Sequence, residues 1–317
     1  MIDPFGTTSY TACTVPNPDE TTALLEESDP SALLGIRDRN QLPDPNDPPW
    51  GLGGALLVWL ASILLIVLMP VVFLLPYAWS RGFNSGMPDY AQALAEFALT
   101  DKTAVILQVV SLIPSHLVTL LLVWAVVTRF GKKPFWAAIG WGWPRHFPWW
   151  LAVMLGVVLF AGGGFIAWLF GAEKPTQLEQ IINSSLAARY IISFLAVCTA
   201  PFVEEFVYRG VLYAPLQRLA GVPGAVVVVL ALFTIIHVPQ YWPNTGVIAA
   251  VALLSIALTI VRAYSGRLLP CIVIHLVFNG IQAIILIIEP HLKPLIPSAE
   301  RAALAASSLR ALISLVI

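Results

Sequence analysis

Six residues in the C-terminal half of this 317-residue chain are of types and spacings that could hydrolyse a peptide bond: Glu204, Glu205, Arg209, His237, His275 and Asn279. Glu205 and Arg209 stand at i and i+4, with the acid N-terminal, and can pair on one helical face. Glu204 points about 100° away from its neighbour, so it has no local partner and is free to meet a group on another helix. His275 and Asn279 are also i and i+4, and project toward one place. A carboxylate and an imidazole meeting in a wet cavity of low dielectric can deprotonate water. A second histidine with an asparagine can donate to the oxyanion formed when that water attacks an amide. Burial makes an ionised carboxylate a stronger base, and an adjacent cation keeps the ionised form accessible.

Other chemistry is open to the same residues. Two histidines and one carboxylate fit the ligand set of a catalytic zinc, which would be Glu204, His237 and His275. The metal-free reading is preferred, because no span offers two ligands at the i, i+4 spacing of helix-borne zinc motifs. No cofactor is firmly predicted. No nucleophile elbow, Ser–His–Asp order, HExxH or paired membrane aspartates occur. A single intramembrane histidine serves most often as a helix-to-helix hydrogen bond. His116, Gln108 and Ser115 take that reading, His146 and His291 read as interfacial, and Cys198 and Cys271 as packing residues. A purely structural network, by contrast, would not need two acids, one of them locally unpaired.

The elements that must position these groups are membrane helices. The chain is 58% hydrophobic and 11% charged, with a mean hydropathy of +0.81, whereas soluble domains carry about 25% charged residues. Apolar runs near the roughly 20 residues of a bilayer span cover about 52–79, 103–128, 148–170, 190–217, 222–240, 246–264 and 268–288. Pro70 and Pro76 make the first of them tilted, kinked or shorter. A short run at 301–317, containing Arg310, reads as an eighth span or an interfacial helix. The expected fold is therefore all-α, a polytopic bundle of seven to eight transmembrane helices. The expected domains are a tail at 1–50, three N-terminal spans within 51–185, catalytic helices at 186–290 and a C-terminal helix at 291–317.

Residues 1–50 hold nine acids and two bases and are rich in Pro, Asp, Asn and Thr, which reads as a disordered or loosely attached tail. They lack the basic-then-apolar pattern of a cleaved signal peptide. The rest of the chain is net basic by about six charges, scattered at the ends of apolar runs. That is a membrane-flanking pattern, not a nucleic-acid one. The connection 131–150 combines bases with five tryptophans, as at headgroup level. Basic residues place the N-terminus inside, in the cytoplasmic membrane. Three dispersed cysteines, Cys13, Cys198 and Cys271, imply no disulfide framework. No broken-helix pair or internal repeat of a transporter is read.

Depth is a further consideration. At ~1.5 Å per residue from their common turn, Glu204 and His237 both lie roughly 21–22 Å deep, which pairs them across a hairpin. His275 reads as shallower.

Three short stretches, "EEFVYRG" (204–210), "FTIIH" (233–237) and "HLVFN" (275–279), stand in this order on three apolar segments. Together they resemble the EExxxR, FxxxH and HxxxN motifs of the CAAX prenyl endopeptidase and bacteriocin-processing (CPBP, or Abi) intramembrane proteases. The flanking "AP" and "YSGRLLPCIVIH" are similar to the family as well, and the likeness covers about 190–290. Tyr208 departs from it, standing where Phe is common. The resemblance implies a catalytic cavity within the bilayer, Glu204 and His237 as water activators, and His275 with Asn279 as the oxyanion pair. Glu205 and Arg209 would support them. It implies peptide or membrane-associated substrates, some of them lipidated, and family names often say metalloprotease. The alternatives are a non-catalytic binding or immunity protein of the same fold, or a proton-coupled transporter using Glu204 and His237 as a relay.

Overall fold

The computed structural model describes residues 44–170 and 176–292. Among them every regular element is helical. Six helical runs are long and apolar enough to cross a membrane. The first is α1, Leu52–Ser80, which stays helical through Pro70 and Pro76. At 29 residues it is about 44 Å long, more than a bilayer core requires. It is followed by the short α2, Tyr90–Thr100. The second run joins α3, Lys102–Val110, to α4, Leu112–Thr128. Asp101 starts it by accepting from the backbone N–H groups of Thr103 and Ala104, which would otherwise be orphaned. A turn, α5 (Phe135–Ala138), lies in the tryptophan-rich connection before α6, Trp149–Phe170. The short α7, Gln177–Ser184, opens with a capping box between Thr176 and Glu179.

The fourth run, Leu186–Tyr241, is 56 residues long and corresponds to two of the spans read from the sequence. It contains α8 (Leu186–Cys198), α9 (Ala200–Glu205), a π-helix (Phe206–Leu212) and α10 (Tyr213–Tyr241). Gly221 interrupts α10 at φ 68°, a backbone conformation open to glycine at no steric cost. The chain doubles back there, because the rings of Tyr208 and Phe233, on opposite sides of Gly221, meet at 5.0 Å. Six apolar runs thus stand where seven to eight spans are expected. The remaining candidate, 301–317, lies outside the described residues, as does nearly all of the tail.

Two further helices, α11 (Thr245–Ser265) and α12 (Leu269–Leu292), complete the bundle. Helix α6 packs on both of them, α10 packs on α11, α8 on α12, and α1 on α3 and α4. Most of these helices are apolar on all sides, so lipid can cover one face while packing covers the other.

Two features differ from the sequence reading. The span carrying the glutamates is not continuous: Thr199 leaves helical geometry at φ −126°, and Pro201 follows in the first turn of α9. Proline lacks the N–H that would continue α8 and clashes with the carbonyl four residues back. The end of the presumptive tail is also held. Trp50 is buried, and its indole N–H donates to Val211 O at 2.9 Å. The span begins at Leu52, but the ordered contacts begin earlier.

Candidate active site

Helix α9 and the π-helix carry the two acids into the bundle and give them different surroundings. Glu205 is fully buried and accepts from Arg209 Nη1 at 3.0 Å. Arg209 is equally buried. Its Nη2 donates to the Ser255 carbonyl at 3.0 Å and to Ser255 Oγ at 3.1 Å, and its Nε reaches Thr259 Oγ1 at 3.4 Å. The guanidinium lies 4.8 Å from the centroid of the Phe233 ring. A charge taken out of water needs this density of partners. Gly210 belongs to the same packing: a Cβ there would sit 2.8 Å from Ile139 Cγ1.

Glu204 meets a cavity instead. About 670 Å³ in volume, the cavity is lined by Glu204, His237, His275 and Asn279 together with His116 and many aliphatic side chains. The Glu204 side chain keeps 24% of its exposure, against 0% for Glu205. Among the described residues it makes no hydrogen bond, and its nearest ion-pair contact is His275 Nε2 at 3.7 Å. The expected Glu204–His237 pair is therefore not a direct contact: His275 is the histidine beside Glu204. A π-helix packs more residues into each turn than an α-helix, so Glu204 lies nearer the Gly221 end than a count at 1.5 Å per residue suggests. His275, only six residues into α12, is at that end.

Hydrogen bonds fix both histidines. His275 Nδ1 lies 2.8 Å from Glu205 Oε1. That carboxylate already accepts from Arg209, so Nδ1 is the donor and Nε2 turns toward Glu204. His237 Nδ1 lies 2.7 Å from the carbonyl of Phe233, one turn earlier. A carbonyl only accepts, so Nδ1 carries the hydrogen and Nε2 of the neutral ring keeps its lone pair. Asn279 Nδ2 donates to Ala196 O of α8 at 2.8 Å, and its side chain also lines the cavity.

The possible zinc set does not converge. Among the described residues no three His, Cys, Asp or Glu side chains are grouped to hold a metal ion. Glu204, His237 and His275 share the cavity wall but not one coordination point, so no step is routed through a metal.

Several contributors escape the sequence reading. Ser255, Thr259 and Arg262 form a polar stripe on α11, at i, i+4 and i+7, and two of them hold Arg209. Tyr208, the departure from the family pattern, accepts from Trp59 Nε1 at 3.1 Å and so ties the π-helix to α1. His116 Nδ1 lies 2.8 Å from Thr199 Oγ1, at the break before α9. Ser115 donates to Leu65 O and Gln108 to Ala98 O of α2, both across helices, and Gln108 also donates to Ala104 O of its own helix. His291 contacts the Tyr190 hydroxyl, and His146 stacks edge-on against Tyr264.

Comparison with protein families adds one match, over residues 186–281: the family described as type II CAAX prenyl endopeptidase Rce1-like. These helices are similar to that family. The comparisons with curated proteins and with solved structures gave no match. The Rce1-like segment contains both glutamates, Arg209, His237, His275 and Asn279, and runs from the start of α8 into α12. With its six apolar helical runs, the chain is an integral membrane protein, and its segment 186–281 is similar to the CAAX-endopeptidase family. The cavity walls contributed by α1, α3 and α4 lie outside the matched segment.

Proposed function

We propose that the protein is an intramembrane endopeptidase that cleaves membrane-associated or lipidated peptides with water activated by Glu204 and His237. The observation that carries this reading is the division of labour between adjacent acids. Glu205 is locked in a buried ion pair, while Glu204 faces the cavity with its carboxylate free of hydrogen bonds. In this reading Glu204 takes a proton from water and His237 Nε2 accepts a hydrogen bond from the same molecule, orienting it. The hydroxide attacks the scissile carbonyl carbon. The carbonyl oxygen becomes an oxyanion facing the second N–H of Asn279 and the Nε2–H of His275, which in this scheme is an imidazolium whose Nδ1–H is held by Glu205. On collapse the C–N bond breaks, and the leaving nitrogen takes the proton held by Glu204. Every atom and charge is then restored.

The apolar lining suits an aliphatic or prenyl-bearing substrate, in keeping with the family's printed name. Residues 186–290 carry the chemistry in this scheme, and residues 51–185 supply walls. The test is a product-resolved assay on a prenylated CAAX peptide and an unlipidated control in liposomes. Cleavage by the wild-type chain and its loss in Glu204→Gln is the expected result. Retention of wild-type turnover by Glu204→Gln would remove the general-base assignment.

A further inference from the structure

The π-helix that follows Glu205 is a rare local geometry, frequent at functional sites, and it has support from outside its own helix. Two side chains supply it by donating to its carbonyls. Trp50 Nε1 reaches Val211 O at 2.9 Å, and Arg262 Nε reaches Arg209 O at 3.1 Å. Arg262 is fully buried and would be an expensive cation without acceptors. Its other two nitrogens donate to Asn46 Oδ1 at 2.9 Å and Pro45 O at 3.1 Å, and its guanidinium lies 5.3 Å from the Tyr213 ring centroid.

The stretch "PNDPPW" (45–50) that provides these acceptors is suited to the task. Proline carries a carbonyl but no N–H, so a proline-rich segment offers acceptors with few competing donors, and the φ of each proline is already fixed. Arg218 donates to Asp47 Oδ1 and Trp50 O, both at 2.8 Å, and Arg129 donates to Pro49 O. Three arginines from separate helices thus hold one strap. From the strap a continuous path runs through Arg262 to the Arg209 carbonyl, and from Arg209 through Glu205 to His275.

We infer that residues 45–50 are a positioning part of the active site, holding the π-helix so that Glu204, Glu205 and His275 keep their relative places. The consequence for turnover rests on the endopeptidase reading; the consequence for geometry does not. The experiment uses full-length protein in nanodiscs and three variants. Trp50→Phe removes one N–H and keeps the ring. Asn46→Ala removes one acceptor, and Asn46→Asp restores it. Two readouts are taken: kcat and KM on a prenylated CAAX peptide, and the Nδ1–H resonance of His275 in 15N-histidine-labelled resting protein.

Trp50→Phe and Asn46→Ala should each lower kcat by about tenfold with KM changed less than about twofold, the pattern of lost transition-state geometry. Both should shift the His275 resonance, and Asn46→Asp should bring kcat and resonance back toward wild type. Wild-type kcat and an unmoved resonance in Trp50→Phe and Asn46→Ala would overturn the inference, as would Asn46→Asp behaving like Asn46→Ala. If the wild-type protein cleaves nothing, the endopeptidase reading fails, and the resonance alone decides for or against the strap. Should Asn46→Ala not fold, Trp50→Phe decides by the same two readouts.

Discussion

Glu204 and Glu205 are neighbours in the chain and belong to two regions with opposite rules. Around Glu205 the packing is closed: Oε1 takes both Arg209 and His275, Ser255 and Thr259 hold the guanidinium, and the side chain has no exposure, although Oε2 is left without a partner among the described residues. Around Glu204 there is a cavity, and the carboxylate facing it makes no hydrogen bond among the described residues. The first region solves the cost of burying charge; the second keeps charge ready for use. His275 belongs to both, with Nδ1 in the packed region and Nε2 at the cavity. The difference teaches that burial alone does not identify a working acid in a membrane. What distinguishes it is a carboxylate that opens on a cavity and is not locked in an ion pair with an arginine.

That contrast is best broken by treating the two acids alike. Glu204→Gln should lose cleavage by about 10²–10⁴-fold while thermal stability stays near wild type, since no hydrogen bond is removed. Turnover assays beside a thermal melt in detergent check both halves. On the packed side, Arg209→Ala leaves the buried Glu205 with His275 as its remaining partner and should cost about 3–5 kcal/mol of stability. The double change Glu205→Gln/Arg209→Met should recover part of it, as seen in yield and melting temperature. An Arg209→Ala protein as stable as wild type would dissolve the distinction between the regions.

His275 and Asn279 sharpen the boundary. Loss of one oxyanion donor costs about 2.7–4 kcal/mol of transition-state stabilisation, so Asn279→Asp should cut kcat by about 10²–10³-fold with little change in KM. His275→Ala should show a loss of that size together with lowered stability, because it also strips Glu205 of a donor. Asn279→Asp removes a donor as well, the one to Ala196 O, so steady-state kinetics are paired with melts for both variants. The smallest effect is expected at Gly210, where a methyl group would press on Ile139. Gly210→Ala should cost about 1–3 kcal/mol, read as a lower melting temperature.

The helical runs and the six central residues were legible from the sequence, because hydrophobic length and i, i+4 spacing are local properties. Other features had no local signal. A π-helix has no compositional signature, and so the depth count that pairs Glu204 with His237 missed His275. Arg262, in the last turn of α11, reads as a base reaching for headgroups, yet it turns inward to Arg209 O. Ser255 and Thr259 pass for ordinary small residues in an apolar span until Arg209 is laid beside them. Asn46 and Trp50 sit in a stretch whose composition is that of a loose tail. Their role exists only because Arg129, Arg218 and Arg262 converge on it from three helices.

One wall of the cavity is a single helix. Ile63, Ile66, Val67 and Pro70 of α1 line it, and Ile66 and Val67 are themselves exposed. On the far side of such a wall lies hydrocarbon, not water. For a substrate whose anchor dissolves in that hydrocarbon, the quantity governing encounter is its mole fraction among lipids, not its amount per litre. Adding inert lipid to a fixed quantity of enzyme and substrate would then slow turnover by surface dilution, although no concentration in the aqueous phase had changed.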